Sequence, residues 1–282
     1  MAVVARAGAE KSDAYACLMT TLGDCLTTLD AWFPLALAED WDEVGLLCGR
    51  RVAPVTGIAL AVDITDVTVS WAIEQQAQLL AVHHPLFLRG TSSVDGDTPK
   101  GSLVHRAIEA GLAIHVMHTN ADHARPGVSD AIADALGVVE TRPIRPSAHN
   151  ADVGTGRVGA LSDPCTLAAF AELVAAVMPN ARGGIRWAGD GGRHVSRVAI
   201  CGGSGSELLD EVDADVYVTS DLKHHVALDY LMSGRAALID VPHAVAEAMW
   251  LTPLAARLER EFPGVRCTVY PGSTDPWSAT IA

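Results

Sequence analysis

The chain has 282 residues, 49% of them hydrophobic and only 5% aromatic, enough for one large or two modest α/β domains with cores built mainly from Ala, Val, Leu and Ile. Its formal net charge of -14, from 34 acidic and 20 basic side chains, repels phosphate backbones over most of the surface. That excludes a general nucleic-acid binder but not a small anionic ligand in a local pocket.

Cys17, Cys25, Cys48, Cys165, Cys201 and Cys267 form no C-x-x-C pair and read as reduced thiols in a cytoplasmic setting. No uninterrupted apolar stretch approaches the roughly 18–20 residues of a membrane span. Residues 1–16 lack the apolar segment of a signal peptide and read as an N-terminal extension. Leu18, Leu22, Leu26, Leu29, Trp32 and Phe33 recur at helical spacing and predict a helix over 17–37, broken by Pro34. The acidic AEDWDEVGLLCG follows. VTGIALAVDIT (55–65) is β-branched and continuous enough for a buried parallel strand. DVTVSWAIEQQA reads as a helix, and LLAVHHPL (79–86) as a second buried strand stopped at Pro85. A polar loop (89–101), the helix SLVHRAIEAGL and the strand IHVMHTNAD (114–122) complete a first βαβ set.

The later half repeats the rhythm. VSRVAICGG (195–203) is a strand, SGSELLDEV a helix start, ADVYVTSD (214–221) a strand, HHVALDYLMSG a helix and AALIDVPH (236–243) a strand. The fold class is therefore α/β, with two βαβ-type modules and mainly parallel sheets. The first module is expected over 17–128 and the second over 157–250, where GRVGALSD supplies a further strand and PCTLAAFAELVAAVM a helix. Residues 129–156 are expected as a connector, its Pro-rich part (141–156) a linker or lid. Residues 251–282 are expected to return to the first module through a strand near 265–271.

Polar residues gather at the carboxyl ends of predicted strands, where open α/β sheets form ligand sites. His83 and His84 end one strand, Asp122 lies just past the strand ending at His118, Asp221 ends another, and His243 follows the last. Consecutive strand residues point to opposite faces, so a turn at Pro85 decides whether His83 and His84 serve two neighbouring ions or merely cap backbone groups. His243 and Glu247 are four apart and share a helix face, either exposed or meeting one ion. Asp122 adds a carboxylate able to bridge two cations. Two imidazole-rich half-sites with two carboxylates match a two-metal hydrolytic centre, and mixed N/O donors favour Zn, Fe(II) or Mn over Ca or Mg.

Secondary candidates come with competing structural readings. Gly202, Gly203 and Gly205 open a helix and either hold a phosphate on backbone amides or make a tight turn. Asp221, Lys223 and His225 form either a substrate-binding and proton-shuttling group or a solvated helix start capped by Asp221. His118 either acts near the metals, managing protons or orienting a ligand, or satisfies a backbone carbonyl. Asp40, Asp42 and Glu43 either face the cleft or form an exposed turn. His105, His149 and His194 read as surface or structural residues.

HHPLFLRG, HTNAD, GGSGSEL followed by DVYVTSDLKHH, and IDVPHAVAE occur in the order found in the Nif-three-like dinuclear-metal proteins, the GTP cyclohydrolase I type 2 homologues. AEDWDEVGLLCG is similar to that family's N-terminal signature, so the resemblance spans roughly residues 35–255. It implies metal-ligand roles for His83, His84, Asp122, His243 and Glu247, two divalent ions per chain, and a ring-shaped hexamer with the sites facing an inner cavity. Pro242 departs from the usual glycine before His243, and the chain is too short for the inserted domain some members carry.

Two functions compete. One is a metal-dependent hydrolase of a nucleotide or phosphorylated heterocycle, in the cyclohydrolase manner, with His225 or His118 managing protons and Lys223 with the glycine loop receiving phosphate. The other is a non-catalytic metal store, metallochaperone or regulatory oligomer. A Rossmann dinucleotide enzyme lacks its fingerprint glycines.

Overall fold

The computed structural model describes residues 19–178 and 181–281; the expected extension at 1–16 lies outside them. Thr21 opens α1 (Leu22–Trp32) with a reciprocal cap, its hydroxyl accepting the Asp24 N–H while the Asp24 carboxylate accepts the Thr21 N–H. The helix buries Leu22, Cys25, Leu26 and Leu29 along one stripe and ends at Phe33, ahead of Pro34.

Strands β1 (Gly45–Cys48), β2 (Gly57–Ala61), β3 (Leu79–Val82) and β4 (Ala113–Val116) follow, with α2 (Asp66–Glu74) and α3 (Pro99–Glu109) as the crossovers after β2 and β3. Two short helices come next, α4 (Thr119–His123) and α5 (Val128–Ala135). They lead into β5 (Val138–Arg142), the small pair β6 (Arg145–Pro146) and β7 (Gly154–Thr155), and the long β8 (Arg157–Thr166). The rest runs α6 (Leu167–Val177), β9 (Arg186–Ala188), β10 (His194–Ser204), β11 (Val216–Ser220), α7 (His224–Met232), β12 (Ala237–Asp240), α8 (His243–Ala248), α9 (Leu251–Glu261) and β13 (Arg266–Val269).

The first sheet has the order β1-β4-β3-β2-β13 and is parallel except for edge strand β1. The second has the order β5-β8-β10-β11-β12-β9, with a parallel centre of β10, β11 and β12 and antiparallel flanks. Alternation along β2 shows how the layers form. Ile58 and Leu60 enter a core shared with Val198, Ile200, Val216 and Val218 of the second sheet, while Ala59 and Ala61 face the opposite side under α2 and α3. Helices α1, α5, α6, α8 and α9 contribute to that shared core, and α7 covers the outer face of the second sheet. No described helix is long and apolar enough to cross a membrane.

Three local expectations change. The stretch 129–156, read as a connector, carries most of α5 and all of β5, and β5 is an edge strand of the second sheet. Its prolines and turn formers hid a buried tie: Arg157, fully buried, donates to both oxygens of Asp130 at 2.7 Å and to the carbonyls of Ala124, Gly154 and Gly156. Such a pair persists in low dielectric because every donor is used. SGSELLDEV forms a 3₁₀ segment, Ser206–Glu211, rather than the start of an α-helix. The helix expected from Pro164 begins at Leu167, because β8 runs on to Thr166, whose hydroxyl caps the Ala169 N–H.

Candidate metal centre

The strand read as 79–86 stops at Val82, and His83 and His84 occupy the bend that follows. Their N–H groups donate back to Val62 O at 3.1 and 2.9 Å, which pins the bend to the end of β2. Both imidazoles therefore reach one place, with ring centroids 5.0 Å apart. His118 ends the β4 segment as the N-cap of α4, its ring 5.2 Å from His83 and 5.4 Å from His84. From the second sheet, α8 starts immediately after β12 and places His243 and Glu247 one turn apart. The carboxyl ends of the two parallel strand sets thus meet at one buried point.

Glu247, 2% exposed, stands at the middle. Its Oε1 lies 2.8 Å from His243 Nε2 and 3.4 Å from His83 Nε2, and its Oε2 lies 3.0 Å from His84 Nε2. Asp122 reaches His83 Nε2 at 3.7 Å. Glu247, rather than Asp122, is therefore the carboxylate placed between the imidazoles. One ring nitrogen each of His83, His84 and His118 lie within 4.8 Å of one another, as do one ring nitrogen each of His84 and His243 and one oxygen of Glu247.

The far side of each ring fixes its tautomer. His83 Nδ1 donates to the Met117 carbonyl at 2.8 Å. His84, His118 and His243 hold Asp63, Asp42 and Asp221 through Nδ1 at 2.7, 2.8 and 2.6 Å. An acceptor on Nδ1 keeps the proton there and leaves the Nε2 lone pair aimed inward, the arrangement of carboxylate–histidine–metal triads. His83 Nε2, Asp122 Oδ1 and Glu247 Oε2 are buried with no aligned hydrogen-bond partner. Buried orphans of this kind, on a mixed imidazole–carboxylate set, fit a divalent cation.

The electrostatics agree. Burial opposes ionising Glu247, yet His83 and His84 outweigh it and hold the carboxyl well below its usual range. Burial likewise opposes charge on His84 and His243, but Glu247 with Asp63 pushes His84 up to about 10, and Glu247 with Asp221 pushes His243 up to about 9. Burial resists ionising Asp42 too, and the hydrogen bonds from His118 and Thr119 override it. All these shifts run in the direction of a pocket that favours positive charge at its centre.

A cavity of about 770 Å³ opens from this centre, lined by His84, His243, Asp63 and Asp221 on the inner side and by Arg186 and Trp277 further out. Below, Trp250 is 3% exposed and packs edge-on at 5.8 Å from His83, closing the floor against water.

Other candidate residues land elsewhere. Asp221, expected to bind substrate or cap a helix, instead holds His243; it does so in a left-handed conformation, φ 60, which costs roughly 1 kcal/mol or more for a non-glycine residue. Lys223 and His225 are exposed at the start of α7, and neither lines the cavity. Gly203 and Gly205 are buried rather than open to a phosphate. A Cβ on Gly203, whose φ is +71, would fall 2.6 Å from Glu247 Oε1, and one on Gly205 would fall 2.1 Å from the Tyr217 hydroxyl. Gly203 thus lets the backbone pass behind the centre. Asp63 escaped sequence reasoning, and its one signal is its place just past the end of β2.

Fold and site together define an α/β protein whose two sheets converge on an imidazole–carboxylate cluster of metal-binding type. A family model described as Duf34/NIF3 (NGG1p interacting factor 3) matches residues 20–276, and the chain belongs to that family. A Streptomyces coelicolor relative named GTP cyclohydrolase 1 type 2 homolog is 41% identical over 273 residues, covering 94% of this chain and 96% of that protein. A Mycobacterium tuberculosis relative of the same name is 32% identical, covering 91% of this chain and 96% of its own length. Among solved structures, a Staphylococcus aureus hypothetical protein superposes with TM-score 0.84 at 27% identity, over 92% of this chain and 99% of that one. A Bacillus cereus protein related to NIF3 shares the fold at TM-score 0.86 and 22% identity, over 93% of this chain and 100% of that one.

Proposed function

We propose that this chain binds two divalent ions (Zn, Fe or Mn) and is a metal-dependent hydrolase of a nucleotide or phosphorylated heterocycle, working as a cytoplasmic homo-oligomer of the hexameric kind the resemblance implies. The supporting observation is the convergence of the His83, His84 and His243 Nε2 atoms on Glu247, with His118 grouped against His83 and His84, and with His83 Nε2, Asp122 Oδ1 and Glu247 Oε2 buried without partners. His83, His118, Asp122 and Glu247 would hold one ion, and His84, His243 and Glu247 the other. A pair of such ions supplies a water made nucleophilic at neutral pH and a Lewis acid for the substrate.

The chain's own groups do the rest. Asp42, Asp63 and Asp221 orient the imidazoles, Trp250 excludes water from beneath, and the cavity admits a ligand from the His84–His243 side. The name borne by the relatives supports a purine nucleotide among the substrates to try.

The exposed positions of His225 and Lys223 favour a second reading, a non-catalytic metal-binding oligomer, because they leave His118 as the one proton-managing candidate at the centre and take Lys223 from the cavity. Turnover separates the two. Metal-loaded protein is expected to hydrolyse at least one member of a nucleotide and phosphate-ester panel, with Glu247→Gln lowering the rate by a hundred-fold or more. A fully loaded protein inert across the panel overturns the hydrolase reading and leaves the metal-binding one.

A further inference from the structure

The cavity beside the centre has an unequal charge distribution. Its inner end is the His84–His243 side of the centre, where the proposed ions would add positive charge. Its outer part carries Asp240 and Asp275, and Arg186 is the one Arg or Lys side chain among the lining residues. Arg186 is already spent in part, since its guanidinium pairs with Asp240. A polyphosphate lying at the outer end would face these carboxylates with one shared guanidinium to offset them, and like charges held close together in a cleft repel.

The outer end offers something else, a flat apolar face. Trp277 lines the cavity and is 68% exposed, its indole resting on Gly183, where an added Cβ would meet the ring at 3.5 Å. This indole is held in place over the cavity rather than left free on the surface. Thr274 donates to Asp63, and Thr280 donates to the Arg182 carbonyl at 2.8 Å. Between those anchors the Trp277 N–H bonds Asp275 Oδ1 at 3.0 Å, with Pro276 stiffening the step. The C-terminal segment is thus an arch tied at both ends, presenting an indole over the cavity mouth, and the Thr274 tie reaches the carboxylate that orients His84. Carboxylates around an aromatic face accept ring N–H donors, which purines carry, and about 770 Å³ holds a mononucleotide.

We infer that the cavity takes a purine mononucleotide phosphate-first, with the phosphate at the metal centre and the base stacked on Trp277 at the rim, so that Trp277 is a specificity-determining residue. This deepens the hydrolase reading and rests on its metal centre. It also orders ligands: a monophosphate should bind more tightly than its nucleoside, and a triphosphate should gain nothing from its two extra phosphates.

Calorimetry on the metal-loaded full chain tests it, with GMP, guanosine, GTP and inorganic phosphate as probes and metal content measured on every sample. The expected result is that Trp277→Ala weakens GMP roughly ten- to hundred-fold, the size of one base–aromatic stack, while Trp277→Phe retains it. Inorganic phosphate affinity and metal content should stay the same in both variants, and stripping the metal should abolish phosphate and GMP binding alike. Loaded protein that binds guanosine as tightly as GMP, binds no GMP, or binds GMP equally with and without the indole overturns the inference while leaving the metal centre standing. A wild-type chain that holds no metal overturns the metal reading, and the inference with it.

Discussion

Each imidazole of the centre is clamped from behind before it meets anything in front, and this decides what substitution does. Removing Asp63, Asp42 or Asp221 leaves the Nε2 donor of its histidine in place but frees the ring to rotate or change tautomer. Single alanine variants at these positions are expected to lower metal affinity by about ten- to a hundred-fold without unfolding the chain, measured by competition with a chromogenic chelator. Affinity unchanged in all three would mean that the rings are held by packing alone. At this scale the sequence was informative where residue type is chemically distinctive. His83, His84, Asp122, His243 and Glu247 stood out because imidazoles and carboxylates at strand ends have few other uses. Asp63 did not, since a lone aspartate before a helix reads equally well as a turn residue or a cap. Lys223 and His225 misled for a different reason. Their spacing from β11 gives their position in the chain, whereas the exposed start of α7 turns them away from the cavity.

At the scale of elements, strand ends matter more than strand lengths. LLAVHHPL gave a buried strand from its unbroken apolarity, but a buried run carries no mark of where pairing stops. The tertiary bonds of His83 and His84 to Val62 end it at Val82. The Arg157–Asp130 pair was equally hidden, because an arginine at a domain start normally reads as surface.

Strand β4 carries a buried group outside the site. His115 is 2% exposed, and its Nδ1 has no partner. Burial, with Arg51 nearby, pushes its pKa down from 6.5 to about 4. The folded chain therefore binds fewer protons here than the unfolded chain between those two values, so stability falls as pH drops from about 6.5 towards 4. In metal-free protein, denaturant titrations across that window should show His115→Gln losing part of the slope, up to roughly 3 kcal/mol by pH 4. Identical pH profiles for the two proteins would show that His115 is not buried uncharged.

The whole molecule explains why the centre is split across the chain. β13 pairs with β2, so the last strand closes the first sheet after the chain has completed the second. The shared core between the sheets then fixes how their carboxyl ends approach. The paired βαβ rhythm was legible as two modules. What brought α8 over the His83–His84 bend was not, since it depends on helix packing between sheets hundreds of possible contacts away from any local signal.

The most direct test of a centre built from both halves is metal content per chain by elemental analysis, on wild type, His83→Ala and Glu247→Ala. His83 lies in the bend after β3 of the first sheet and Glu247 on α8 after β12 of the second, and they meet at 3.4 Å. The expected result is about two ions in the wild type, with a sharp fall in both variants while circular dichroism shows each still folded. Wild-type protein that takes up no metal after reconstitution, or folded variants that keep the full complement, would contradict it.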